Sequence, residues 1–522
     1  MALTKVTNNM VDGAPISVRD FGAKGDGVTD DTAAIQAAFT YFTTQMYGGS
    51  MVFPKGNYIT KSQIVFTDVY WKTIIFEGAL ICGQSDSVSY DAVFKIVNAQ
   101  NTKFVGSWTV TADSSAFGAS NDPNKYECAF SIQAAPGGTI EPINGIVNFV
   151  DVYGLTVTKV KRGLTIGAYN SDAQVAELVF HGLMTPFCPN PVYSGGSQTV
   201  TTFVGGSTAS SPWPAITSPV YASFIIEGGA VSVVGGELTQ HTPAAGIVVD
   251  LRPASTVAFS NPYGTFTASA TLIEQDWAFA KINNPRALST PTSNASKLSL
   301  SGCYGYSGAM PAGTAYISVD DVTYAGKIAI DEACKFYQNI GSSTRSGATI
   351  NCSTAPNAIV TVGRTSFASG YPYWMTGVSG GQLIHNMEWA IQAFVNSGTL
   401  ASGGANLKPT VFNTDPRFQR YSGIYDLTTG IITIPSNVSV KNIRIEANLI
   451  ASAVTGDIYL YDITNSRIIG FGQISSGVGN LVCTTGNFTA GQQFAIVLNV
   501  SASVTFSGSV TNSVNIYIGN EV

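Results

Sequence analysis

The sequence predicts an all-β chain: a parallel β-helix that carries one early helix and ends in an antiparallel β-sandwich of jelly-roll type. Three observations carry this reading. Short apolar runs, each punctuated by Gly, Asn, Ser or Pro, continue from residue 50 to the end. Strands ending in an acid recur at spacings of 23, 24 and 46 residues between 227 and 320, and self-similarity at such periods marks solenoids. Beyond residue 420 the runs alternate apolar and polar, as strands with one solvated face do.

Composition narrows the function. The 522 residues hold 45% hydrophobic but only 11% charged side chains, against about 25% charged in an average globular protein. That is the opposite of a disordered chain. A net charge of −6 and a pI near 5.1 argue against a nucleic-acid partner, whose phosphates call for a basic surface. No apolar run approaches the ~18 residues of a membrane helix, so no membrane partner is expected. The opening MALTKVTNNMVDGA lacks the apolar core of a signal peptide, and synthesis and folding in a cytosol are expected. The seven Cys show no CxxC and no zinc spacing, and the three His (181, 241, 385) are dispersed. Buried free thiols are expected, with no metal and no other cofactor.

The elements follow in order. Thr29-Asp30-Asp31 precedes Ala33 to Met46, where Ile35, Phe39 and Phe42 recur at helical spacing. The acids suit the free N–H groups of a helix start. Asp26, Asp30 and Asp31 lack the spacing and closing Glu of a calcium loop. After Gly48-Gly49 the strands begin, among them SMVFP (50–54), TIIFEG (73–78), AVFKIV (92–97), TKFVG (102–106), VNFVDVYG (147–154), AELVFHG (176–182) and VTTFVGG (200–206). In the periodic set, Ile226, Val249, Ile273 and Val319 are expected to stack inside the coils. Glu227, Asp250, Glu274 and Asp320 then point outward, because side chains alternate along a strand. Ile384 to Asn396 is expected as one short helix, and Asn406 to Arg420, with two Pro, as a linker. The sandwich strands are 430–435, 440–450, 456–463, 492–500 and 514–519. The expected domains are therefore 1–48, 49–405, a linker at 406–420, and 421–522.

The segment Val18-Arg19-Asp20-Phe21-Gly22-Ala23-Lys24-Gly25-Asp26-Gly27-Val28-Thr29-Asp30-Asp31-Thr32-Ala33-Ala34-Ile35-Gln36-Ala37-Ala38 resembles the opening of the pectate-lyase superfamily. There a short capping helix precedes the first coil of a right-handed β-helix, and Gly49 to Tyr58 is similar to that coil. Thr4 to Ala14 resembles the stretch that bacteriophage tailspikes place just before their β-helix. The resemblance implies a homotrimer that cleaves a bacterial capsular polysaccharide or O-antigen. It also implies a C-terminal sandwich that holds the trimer together, and a virion tail as the place of action. Tailspikes carry an N-terminal virion anchor. Here Met1 sits almost at the junction, so attachment through an anchor or adaptor outside this chain is expected.

Cleaving a glycosidic bond takes two carboxyls, a proton donor and a base or nucleophile. Coils lie about 4.8 Å apart, so acids on adjacent coils approach the separation of retaining enzymes and acids two coils apart exceed the inverting range slightly. The catalytic candidates are Glu227, Asp250, Glu274 and Asp276, with Glu237 and Asp320 behind them. Each also has the ordinary role of a solvated surface acid. The pair Asp331-Glu332 breaks the period. Candidates for substrate binding are Trp213, in the Gly/Ser/Pro-rich insertion 190–220, with Arg252, Tyr263, Trp277, Tyr304 and Tyr306; Lys281 and Arg286 can hold acidic sugars. For any single aromatic, core packing is the ordinary role. The paired acids point to an endo-acting glycoside hydrolase. Two alternatives stand beside it: a polysaccharide lyase using His241, Arg252 and Tyr263, and a fibre that binds glycan without cutting it.

Overall fold

The structure is a computed structural model. It describes residues 14–45, 48–85, 88–112, 123–135, 145–168, 173–196, 199–212, 221–240, 246–252, 264–275, 278–283, 297–307 and 315–320, and from 324 to 519 a series of shorter stretches that hold the strands named below. The chain divides into two compact units, residues 1–310 with 334–339, and 311–333 with 340–522.

The first unit is a stack of parallel coils. A typical coil contains Ala222–Glu227, Ala230–Val234 and Glu237–Gln240, and the next contains Ile247–Arg252, Thr265–Ser269 and Leu272–Gln275. Each strand pairs in parallel with its counterpart one coil on, giving three ladders. Inside, like residues stack. Phe94, Phe130, Leu164, Val192, Phe224 and Val249 follow one another in register, and all are fully buried. Each such side chain contributes about 1.5–3 kcal/mol by leaving water. Ile226, Val249, Ile273 and Val319 are all buried as expected. Ile226, however, pairs with Leu251 rather than Val249, and Ile273 belongs to another ladder. The six described cysteines are buried thiols outside any disulfide.

The expected early helix spans Thr32–Gln45 and buries Ile35, Phe39 and Phe42. Phe39 stacks on Phe66 with ring centroids 3.5 Å apart. Gln36 donates to the Val65 carbonyl at 2.8 Å and accepts from the Val65 N–H at 3.1 Å. The helix thus occupies hydrogen-bonding groups of the strand Ile64–Tyr70 that would otherwise present an open sheet edge. The acids before it serve the backbone: Asp30 accepts from the Thr32 N–H, and Asp31 from Lys24 and Gly25.

The second unit begins with parallel pairs, Ile317–Asp320 with Ala348–Asn351 and Lys327–Ile330 with Ile359–Val362. It then turns antiparallel. One sheet orders Phe412–Thr414, Trp389–Val395, Ser509–Gly519, Val440–Asn448 and Thr484–Phe488; another holds Gly403–Asn406, Gln493–Val500, Gly456–Asp462 and Arg467–Ser475. Two expectations are corrected here. The segment expected as a helix at 384–396 contains the strand Trp389–Val395, because it pairs on both edges, with 412–414 and 509–519; tertiary pairing overrides a short helical spacing. Antiparallel pairing also starts well before 421, and part of the expected linker 406–420 is the strand Phe412–Thr414.

Candidate functional site

The strands Tyr126–Ala134, Arg162–Ala168, Asn190–Gly195, Ala222–Glu227, Ile247–Arg252 and Ala278–Asn283 form one ladder of the first unit. Its outward positions carry a connected cluster of charged groups. Arg252 stands in register with Glu227, and Asp250 lies between Ile225 and Lys281. The Arg252 guanidinium bridges both acids. Its Nη2 lies 2.6 Å and its Nε 2.8 Å from Asp250 Oδ2, and its Nη1 is 3.8 Å from Glu227 Oε1. From the other side, the Tyr193 hydroxyl donates to Glu227 Oε2 at 2.9 Å. The Arg162 guanidinium lies over the Tyr193 ring, 4.4 Å from its centroid, and pairs with Glu127 at 3.3 Å.

Glycine makes room for this arrangement. A Cβ on Gly195 would stand 3.1 Å from Tyr193 Cε1 and 3.2 Å from its hydroxyl. Because Gly195 is in register with Glu227, its bare backbone lets the phenol lie across the sheet and reach the carboxylate.

The two acids differ in environment. The Glu227 side chain keeps 17% of its surface exposed, whereas Asp250 keeps 3%. Burial raises the Asp250 pKa above the ordinary carboxylate range, against the opposing pull of Arg252 and Lys281 and with a smaller push from Glu227. Asp250 Oδ2 takes both Arg252 bonds, and Oδ1 has no partner among the described residues. Burial also pushes the Tyr193 phenol up, and the neighbouring Glu227 adds to this.

The remaining candidates disperse. Glu274 sits on a different ladder, in register with Thr239 and Tyr306. Glu237 opens a strand of that ladder and accepts from the Thr239 hydroxyl at 2.9 Å. Tyr304 lies there too, opposite Leu272, and is exposed. Asp320 ends a strand of the second unit and is exposed. Asp331 accepts from the Ala333 N–H. Asp276, Trp213, Tyr263, Trp277, His241, Arg286 and Glu332 lie outside the described residues. The expected row of one acid per coil is thus corrected. Asp250 and Glu274 belong to the same coil, because residues 253–264 lengthen the connection within it. Sequence reasoning passed over Tyr193, Arg162 and Glu127. The one available signal was the run VYSGG at 192–196, an aromatic two residues before a glycine on the same face.

Known proteins match parts of the chain. Residues 15–134 match the family described as rhamnogalacturonase A/epimerase, pectate lyase-like. Among curated relatives, the non-secreted LysM effector LysM19 of Penicillium expansum is 30% identical over 148 residues, covering 24% of this chain and 11% of its own. Plasmin and fibronectin-binding protein A of Streptococcus pneumoniae is 34% identical over 115 residues, covering 21% of this chain and 15% of its own. The chain therefore spans only a small part of the length of the curated relatives it matches. Among solved structures, the enzymatically active domain of tailspike protein 2 of bacteriophage CBA120 is similar with a TM-score of 0.49 at 11% identity, covering 98% of this chain and 80% of that one.

Proposed function

We propose that the protein is a polysaccharide depolymerase of the phage tailspike kind. It hydrolyses glycosidic bonds of a bacterial capsular or O-antigen polysaccharide, with Glu227 and Asp250 as its paired carboxyls. The observation that supports this is Arg252 joined to both acids on the outward face of one ladder, with one acid partly exposed and one buried. Glu227, the more exposed, serves as base or nucleophile, and Tyr193 fixes its second oxygen. Asp250, whose pKa burial raises, is the proton donor. Oδ1 is the oxygen that Arg252 leaves for that proton. Arg252 holds the two carboxyls and offers its remaining N–H groups to sugar hydroxyls. The chain works as a homotrimer held by the C-terminal sandwich. It is attached to a virion tail and acts at the bacterial surface.

The test is digestion of purified capsules from a strain panel, following polymer size, reducing ends and the ultraviolet absorbance of a new C=C bond together. Hydrolysis raises reducing ends without absorbance. Glu227→Gln is expected to cut the rate by about 10²–10⁴-fold, the usual weight of a positioned acid–base group. Rising absorbance, or full activity in Glu227→Gln, overturns the reading; polymer bound but never shortened leaves a fibre that only binds.

A further inference from the structure

The Tyr193 hydroxyl reaches Glu227 only while its ring lies across the sheet, and the sheet offers that ring little wall. Gly195, beside the ring, has no side chain, and its register neighbour one coil back is Gly167. Two successive coils are thus bare at that position. Apolar packing holds part of the ring, against the buried Ala222, Ile225 and Ile247. The other constraint is Arg162, which opens the strand one coil before Tyr193. Its guanidinium carbon lies 4.4 Å from the centre of the Tyr193 ring. Glu127 holds the guanidinium in turn: its Oε1 lies 3.3 Å from Arg162 Nη1, and its Oε2 lies 3.0 Å from Lys161 Nζ. Glu127, Arg162, Tyr193 and Glu227 therefore form one line of contacts across four successive strands of the ladder.

Stability alone gives little reason for an arginine at 162. Its Nε is buried and has no hydrogen-bond partner among the described residues, and an unpaired buried N–H lowers stability. A methionine would cover the same ring without that cost. What only a cation supplies is a charge over the π face. That charge attracts the ring and so keeps the phenol in place. It also draws electron density from the hydroxyl, which makes the O–H a stronger donor to Glu227 Oε2, 2.9 Å away.

We propose that Arg162 is a positioning residue for the reaction: anchored by Glu127, it fixes the Tyr193 phenol on Glu227 and acts on the substrate only through that contact. The inference rests on the proposed role of Glu227 as base or nucleophile.

The experiment uses the full chain on the capsule that it cuts. It measures kcat, KM and melting temperature for Arg162→Met, Arg162→Lys, Tyr193→Phe and the double variant Arg162→Met with Tyr193→Phe. Arg162→Met is expected to lower kcat about tenfold, the weight of a partly desolvated cation over a ring, with KM and melting temperature unchanged. Arg162→Lys keeps the charge but not the planar stack, and should restore part of the loss. Once Tyr193→Phe has removed the hydroxyl, adding Arg162→Met should change kcat by less than about twofold, the non-additivity of two residues that act through one contact. Full kcat in Arg162→Met overturns the inference and leaves the hydrolase reading intact. So does a loss that adds in full to that of Tyr193→Phe, or a raised KM at unchanged kcat. A lower kcat that comes with a lower melting temperature, and that Arg162→Lys does not restore, also overturns it, since the arginine then serves only the fold. Full activity in Glu227→Gln, or a parent protein that cuts no capsule, overturns the proposed function and the inference with it.

Discussion

Replacing Asp250 by Asn separates the stability of the site from its chemistry. Two charge-assisted bonds from Arg252, at 2.6 and 2.8 Å, favour the ionised acid by about 1.5–3 kcal/mol each. Against them stands the cost of holding a carboxylate almost out of water, several kcal/mol, with Oδ1 unpartnered among the described residues. The raised pKa says that burial wins. The folded chain then keeps the proton to a higher pH than the unfolded chain does. This contribution to stability is complete below the ordinary carboxylate pKa and is lost as pH rises through the raised value. Asn carries no such ionisation and still offers Arg252 an acceptor. Urea unfolding between acid and mildly alkaline pH should therefore show Asp250→Asn within about 1–2 kcal/mol of the parent at neutral pH, and not below it. That relative gain should vanish as the medium becomes acid, while depolymerase activity is lost throughout. Asp250→Ala, which takes two hydrogen bonds from the guanidinium and leaves it only Glu227, should cost about 1–3 kcal/mol. If Asp250→Asn were less stable than the parent by more than about 3 kcal/mol at neutral pH, and if that deficit closed in acid, the Arg252 pair would dominate burial and the assignment of Asp250 as proton donor would fall.

Three further outcomes are expected. Gly195→Ala should place a methyl group against the Tyr193 ring and push its hydroxyl off Glu227, lowering kcat several-fold with the fold retained; crystallography or the kinetics of the double variant with Tyr193→Phe would show whether the two act through one contact. Asp462 is buried, and although burial alone would raise its pKa, hydrogen bonds from Asn465 and Gln492 and the nearby Arg467 hold it below the ordinary range. The stability it contributes is therefore present above the ordinary carboxylate pKa and lost as pH falls through the depressed one; Asp462→Asn should flatten that acid limb in thermal melts. A chain ending near Pro409 should no longer sediment as a trimer, because it lacks most strands of the antiparallel sheets; a trimer that survives refutes the assembly role of the sandwich.

Much of this was legible in the residues. The glycine-punctuated apolar runs sufficed for the coils, since a solenoid strand needs little beyond alternation and a turn. Ile35, Phe39 and Phe42 marked the helix face that the structure buries, and the alternating runs after 430 became the antiparallel strands. Glu227, Asp250 and Arg252 were also singled out, because polar outward positions stand out in a chain with 11% charge. What the sequence could not supply was register. A spacing of 24 residues separates Asp250 from Glu274, yet the two lie on different ladders of one coil, because the length of a connection changes the sequence period without changing the stack. Whether an acid faces another acid, an arginine or an isoleucine depends on which backbone groups hydrogen-bond across coils. Tyr193 meets Glu227 from one coil away only because Gly195 leaves the sheet bare beneath its ring. Trp389–Val395 is a strand because partners far along the chain pair with both its edges. Local composition fixes what each segment can become; contacts between distant segments decide which side chains meet, because those pairings have no signature in any single stretch of chain.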